Sequence, residues 1–170
     1  IWVSGIKNPK SKYLEKFKIY DLNDYWDDSI IKINPDGEIL INKSVTEILI
    51  ENKILPKNFA FNSVTGHPSK NHDPIHLNDI EPVIEDGPYW KQGDIFLSLR
   101  NLSTVLHFRP VNNKIINTII GKFYRQHDVD IISNKEISIF NNSQGPNSEV
   151  LIYNFETQKF SKKFNKEMIA

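Results

Sequence analysis

Short stretches in which apolar and polar residues alternate dominate the chain, and this period of two is the mark of half-buried β-strands. Ser29 to Asn34 (SIIKIN) and Glu38 to Asn42 (EILIN) flank Asn34-Pro35-Asp36-Gly37, where Pro fixes φ and Gly accepts a positive φ, so the pair reads as a hairpin. Asp94 to Leu99, Ser103 to Arg109 and Lys114 to Ile120 follow, joined by Asn-Leu-Ser and Pro-Val-Asn-Asn. Four more segments complete the set, Val129 to Ser133, Glu136 to Phe140, Glu149 to Phe155 and Gln158 to Phe164. One segment departs from this period. Ser44-Val-Thr-Glu47 is a capping box, and apolar Val45, Ile48 and Leu49 behind it predict a short helix ending before Pro56. From Pro56 to Asp73 the chain is polar and turn-rich, and reads as a long loop.

Grouped in fours, the strands repeat. His76-Leu-Asn-Asp-Ile80 opens a set at 76–80, 94–99, 103–109 and 114–120, and His127-Asp-Val-Asp-Ile131 opens another at 127–133, 136–140, 149–155 and 158–164. The two histidines stand 51 positions apart, near the ~40–50-residue period of propeller blades. The predicted fold is therefore all-β, a partial β-propeller of four-stranded antiparallel blades with one short helix and a long loop. Its parts would be a part-blade at about 1–43, an inserted helix and loop at 44–75, a blade at 76–121 and a blade at 127–164. Closure takes roughly 4–8 blades, so the chain reads as a fragment of a single propeller domain. A self-contained β-sandwich would use the same strands without a period.

Composition narrows the functional classes. Hydrophobic residues make up 39% and aromatic residues 11% of the 170 positions, too apolar for a disordered chain. Lys and Arg total 21 against 21 Asp and Glu, a balance that argues against a nucleic-acid partner. No window approaches ~18 consecutive apolar residues, so no membrane insertion is expected. Cysteine is absent, which removes thiolate chemistry, disulfides and Cys-ligated metals. The opening IWVSGIKNPK is no signal peptide and lacks an initiator Met, so the natural start is expected to lie upstream.

The polar groups with chemical potential recur at equivalent positions. His76 and Asn78 alternate along the first strand of one blade, and His127 opens the first strand of the next. Arg100 and Asn101 end a second strand, as do Asn141 and Asn142. Such strand ends point toward the channel of a propeller, where His, Asn and Arg together would form an anion site containing a nucleophile or base. The same residue types also serve as plain caps and turn residues. His67, His72, Asp73 and His76 could in principle ligate a divalent ion, but their spacing matches no standard site and no metal is assigned. His107, in mid-strand, is expected to face solvent or a neighbouring strand.

His76-Leu-Asn-Asp-Ile, Asp94-Ile-Phe-Leu-Ser-Leu-Arg-Asn-Leu-Ser, Gly121, Gln126-His127-Asp and Glu136-Ile-Ser-Ile-Phe-Asn-Asn occur in an order that resembles the bacterial arylsulfotransferase family, which does not use the nucleotide sulfate donor. The likeness covers about residues 74–155. It implies a six-bladed propeller that moves a sulfuryl group from an aryl sulfate ester to a phenol through a histidine sulfated on nitrogen, without a cofactor. By that resemblance His127 is the nucleophile, Arg100 and Asn78 hold the sulfuryl oxygens with Asn101 beside them, and His76 assists proton transfer. An always-charged planar guanidinium and an amide donor suit the charge on a sulfuryl group in flight. Neutral imidazole suits the nucleophile.

Tyr89, Trp90 and Tyr124 would either wall the phenol or pack in the core. The chain departs from the family pattern in the residues Pro82 to Gly93, in Asn141 where Asp is usual, and in a further histidine that would lie before Ile1. The resemblance also implies a periplasmic or secreted location and small-molecule partners, aryl sulfate and phenol, and leaves the oligomeric state open. The alternative is a non-catalytic propeller that binds a glycan or a protein.

Overall fold

The computed structural model describes residues 1–8, 25–54, 73–142 and 148–163. The predicted loop after Pro56, with His67 and His72, lies outside the described residues. The chain divides into two compact units, Ile1–Leu77 and Asn78–Ala170. All the described sheet is antiparallel, in one three-stranded and two four-stranded sheets.

In the first unit β1 (Trp2–Ile6), β2 (Asp28–Ile33) and β3 (Ile39–Ser44) pair in that order. The β2–β3 turn forms where Asn34-Pro35-Asp36-Gly37 predicts it. Asn34 Oδ1 accepts from the Glu38 amide at 2.8 Å, and Gly37 takes a φ of 85° that other side chains resist. The capping box holds α1 (Val45–Glu51), with Ser44 Oγ accepting from the Glu47 amide at 3.1 Å and donating to Asp27 Oδ1 at 2.6 Å. Val45, Thr46, Ile48 and Leu49 form its buried face against β2 and β3. Burial of these residues, more than the helix propensity of seven residues, stabilises so short a helix.

The second unit holds two consecutive meanders. β4 (Leu77–Pro82), β5 (Ile95–Leu99), β6 (Thr104–Arg109) and β7 (Lys114–Ile120) pair in chain order, and so do β8 (His127–Ser133), β9 (Glu136–Asn141), β10 (Glu149–Asn154) and β11 (Lys159–Lys163). The strands fall within about two residues of their sequence expectation. The connections Asn-Leu-Ser and Pro-Val-Asn-Asn are single 3-10 turns closed by Ser103 and Asn113 in the left-handed region, at φ 47° and 57°. β5 is buried throughout, and β6 up to Phe108, which explains their near-continuous apolar runs.

The two meanders share one apolar layer. Val83, Trp90, Phe96, Val105, Ile119 and Phe123 meet Val129, Ile137, Ile139, Leu151, Tyr153 and Phe155. Trp90 crosses the rings of Phe96 and Phe155 at 5.8 and 5.4 Å, and Tyr89 stacks on Phe155 at 5.8 Å. Trp90 therefore packs in the core, with the half-buried Tyr89 against it. The segment Pro82 to Gly93 is closed on itself by this insertion. The Gly87 amide donates to the Trp90 carbonyl at 3.0 Å, and Gln92 Nε2 donates to the Ile84 carbonyl at 2.9 Å.

Side chains of β4 also reach the edge of β8. Asp79 Oδ2 accepts from the Val129 amide at 2.9 Å and Glu81 Oε1 from the Ile131 amide at 3.3 Å, each across 50 positions. Within the first unit, Asp28 Oδ2 likewise accepts from the Leu77 amide at 3.0 Å, across 49 positions. Among the described residues, no helix is long and apolar enough to cross a membrane.

A methyl group at Gly87 would sit 2.6 Å from Trp90 Nε1, and the indole is locked between Phe96 and Phe155. Gly87→Ala is expected to destabilise the chain by about 1–3 kcal/mol, as overpacking in filled cores does. Urea denaturation checks this, and an unchanged midpoint would mean that Trp90 does not anchor the 82–93 segment.

Candidate functional site

His127, Asn78, Arg100 and Asn101 all belong to the second unit, and Gln126 joins their elements. His127 is the half-buried first residue of β8, opposite Phe140. The residue before it, Gln126, is fully buried. Its backbone carbonyl accepts from Asn78 Nδ2 at 2.9 Å. Its Nε2 donates to the Thr104 carbonyl at 3.1 Å and to Ser98 Oγ at 3.3 Å. Ser98 and Thr104 bracket the 3-10 turn Arg100–Leu102 that carries Arg100 and Asn101. Gln126, through its backbone carbonyl and its side chain, thus ties the start of β4, the β5–β6 turn and the start of β8 together.

The electrostatics at this end favour an anion. Arg100 donates to Asn101 Oδ1 at 3.0 Å, and among the described residues no carboxylate pairs with it. Arg125 lies beside Gln126 with its guanidinium 5.3 Å from the Tyr124 ring centroid, and its buried Nε has no hydrogen-bond partner among the described residues. A guanidinium without a carboxylate partner is suited to a tetrahedral oxyanion. Asn141 is structural here. It accepts from the Tyr124 amide at 2.7 Å and donates to Glu149 Oε1 at 3.0 Å, a combination that an ionised Asp cannot make.

His76 belongs to the first unit and precedes β4 instead of sitting within it. Its φ of 56° lies in the left-handed region, so the alternation with Asn78 expected along one strand face does not extend to it. Asp73 Oδ1 accepts from the His76 amide at 2.9 Å, and Asp73 Oδ2 pairs with His76 Nδ1. Both line a cavity of about 210 Å³ with Ser4, Gly5, Ile6, Trp26, Asp28 and Leu77. Burial pushes the Asp28 carboxyl up to about 7; the Leu77 amide opposes the shift and the charge of Asp73 adds to it. Of His67, His72, Asp73 and His76, only Asp73 and His76 lie within the described residues. Among the described residues, no cluster of three or more His, Cys, Asp or Glu side chains has a geometry that could hold an ion.

His107 is buried, and it faces the neighbouring strand instead of solvent. It stacks on Phe96 with centroids 4.8 Å apart, and its Nε2 meets Asp94 Oδ2 at 2.8 Å. Arg109 grips the same carboxylate with Nε and Nη2, each at 2.7 Å. Burial pushes the His107 imidazole below its ordinary range although Asp94 pulls the other way. Burial would raise the Asp94 carboxyl, but Arg109, the Lys91 amide and His107 together hold it low. Both oxygens of Asp94 are engaged, so the cluster staples the β5–β6 hairpin. Register could have revealed it. Ile95 lies opposite Phe108, which places Asp94 across from Arg109.

A second cavity, of about 510 Å³, opens where β4 and β8 end, lined by residues including Glu81, Glu85, Asp86, Trp90 and Asn134. It takes in Trp90 but none of His76, Asn78, Arg100, Asn101 and His127. A family model described as Arylsulfotransferase (ASST) matches residues 1–168. No curated protein matches the chain.

The raised Asp28 pKa has a sign that denaturation can read. The folded chain keeps a proton to about pH 7, whereas an unfolded Asp releases it near ~3.9. The folded state is therefore favoured most below the unfolded value, and stability falls as pH rises toward 7. Asp28→Asn keeps an acceptor for the Leu77 amide and cannot ionise. The urea midpoint is expected to fall between pH 5 and 8 more steeply in the wild type than in Asp28→Asn, and equal slopes would contradict the assignment.

Proposed function

As the chain belongs to the arylsulfotransferase family, matched over residues 1–168, we propose that it moves a sulfuryl group from an aryl sulfate ester to a phenolic acceptor through a sulfo-histidine. The observation that carries this reading is the Gln126 bracket, which sets His127 against the elements bearing Asn78 and Arg100. In the donor half-reaction the lone pair of a neutral His127 ring nitrogen attacks sulfur. The S–O bond to the aryl group breaks, and its electron pair leaves on the phenol oxygen. In the acceptor half-reaction a phenol oxygen attacks the same sulfur, and the S–N pair returns to His127.

Arg100 and Asn78 stabilise the equatorial oxygens, with Asn101 orienting Arg100 by the contact its side chain makes. His76 serves at the phenol oxygen, giving a proton to the leaving group and taking one from the acceptor. No cofactor is required by this chemistry. The partners are small aryl sulfates and phenols, and members of the family are exported, so we place the protein in the periplasm or outside the cell. We further read the two meanders as neighbouring blades of one propeller. The carboxylate links at a 50-position offset, from Asp79 and Glu81 to β8, are what support that reading.

Incubation with 4-nitrophenyl sulfate and no acceptor is expected to add one sulfuryl mass to the peptide containing His127. His127→Ala is expected to abolish both labelling and turnover. Arg100→Lys is expected to lower kcat/KM by about 10²-fold, because a point charge loses the planar fork. A wild-type protein that gains no mass with any aryl sulfate, yet binds a glycan or protein, would replace the enzyme reading with the binding-module one.

A further inference from the structure

Both carboxyl oxygens of Asp73 meet His76. Oδ1 takes the backbone amide of His76 at 2.9 Å, and Oδ2 meets the ring at Nδ1. The residues between them, Pro74 and Ile75, are buried, so the turn has a fixed floor. A non-glycine residue at φ 56° carries backbone strain, which the clamp on its amide and ring offsets. The outcome is an imidazole held at one edge and open at the other. Its side chain is 40% exposed, it lines the 210 Å³ cavity, and among the described residues nothing bonds to Nε2.

A carboxylate only accepts hydrogen bonds, so a nitrogen facing it carries the hydrogen. The partner nitrogen of a neutral ring is then the basic one. Trp26, 54% exposed, lines the same cavity and offers it an aromatic side chain. We propose that Asp73 is a positioning residue that fixes the Nδ1–H tautomer of His76, making Nε2 the proton-transfer atom toward a phenolic hydroxyl whose ring lies against Trp26.

The catalytic half of this inference rests on the sulfuryl-transfer reading above. In the acceptor step Nε2 takes the phenol proton as the O–S bond forms, giving an imidazolium. In the next donor step that proton passes to the departing phenolate and the ring is neutral again. Asp73 remains a carboxylate throughout, and no other reactant is needed.

The tautomer can be read without any turnover. Long-range proton–nitrogen spectra of the histidine-labelled wild-type chain are expected to show His76 protonated at Nδ1 and bare at Nε2. Asp73→Asn keeps an oxygen for the His76 amide but presents an N–H to Nδ1, so the hydrogen is expected to move to Nε2. Steady-state turnover with a phenol acceptor should then fall by about 10²–10⁴-fold through kcat, the range of general acid–base catalysis. The first burst of nitrophenol from 4-nitrophenyl sulfate, whose leaving group needs little acid, should persist, and Asp73→Glu should recover part of the loss.

A wild-type His76 protonated at Nε2 would overturn the proposal, and that spectrum needs no variant to fold. So would an Asp73→Asn protein with wild-type kcat. Absence of a burst from the wild type would count against the sulfuryl-transfer reading and the catalytic role with it, leaving the tautomer spectrum to judge the positioning separately.

Discussion

Carboxylates placed one repeat upstream satisfy the edge amides of the strands that open the four-stranded sheets, and the rest of the arrangement depends on that constraint. β8 pairs with β9 along one edge only, which leaves amides at Val129 and Ile131 facing β4. Unsatisfied, each would cost about 1–3 kcal/mol and leave an edge open to another chain. Asp79 and Glu81 fill that role at the expense of burying their own charge, and burial pushes both carboxyl groups up. Once β4 is fixed against β8, Asn78 reaches the Gln126 carbonyl, and the Gln126 side chain in turn reaches both ends of the Arg100 turn. Sheet packing and site geometry are consequences of the same set of links.

Strand positions were legible in the sequence because they depend on local rules. Period-two alternation and the turn chemistry of Asn34 to Gly37 bound the strands closely. The capping box at Ser44 was legible for the same reason, since its partner stands three residues away. The carboxylate links left a faint trace. Asp28 and Asp79 stand 51 positions apart, as His76 and His127 do, yet acids on a solvated strand look no different until the next strand is in place.

The site was less legible, since side-chain roles depend on partners distant along the chain. Nothing local marks Gln126 as the bracket, because its partners are Asn78, Ser98 and Thr104. His107 reads as a polar residue in mid-strand until Asp94 and Arg109 close on the same point. Trp90 reads equally as a wall for a phenol or as packing until Phe96 and Phe155 close on it, and the core takes it in. The Asp73–His76 spacing matches no standard metal site. The backbone turn at φ 56° makes it a clamp on one imidazole.

The central claim is that sulfur passes through two displacements, first onto His127 and then onto the phenol. The stereochemistry of transfer from an aryl sulfate made chiral with oxygen isotopes tests it most directly. Each in-line displacement inverts sulfur, so two predict net retention of configuration in the sulfated product. Net inversion would mean direct transfer from donor to acceptor, and the role given to His127 would be wrong.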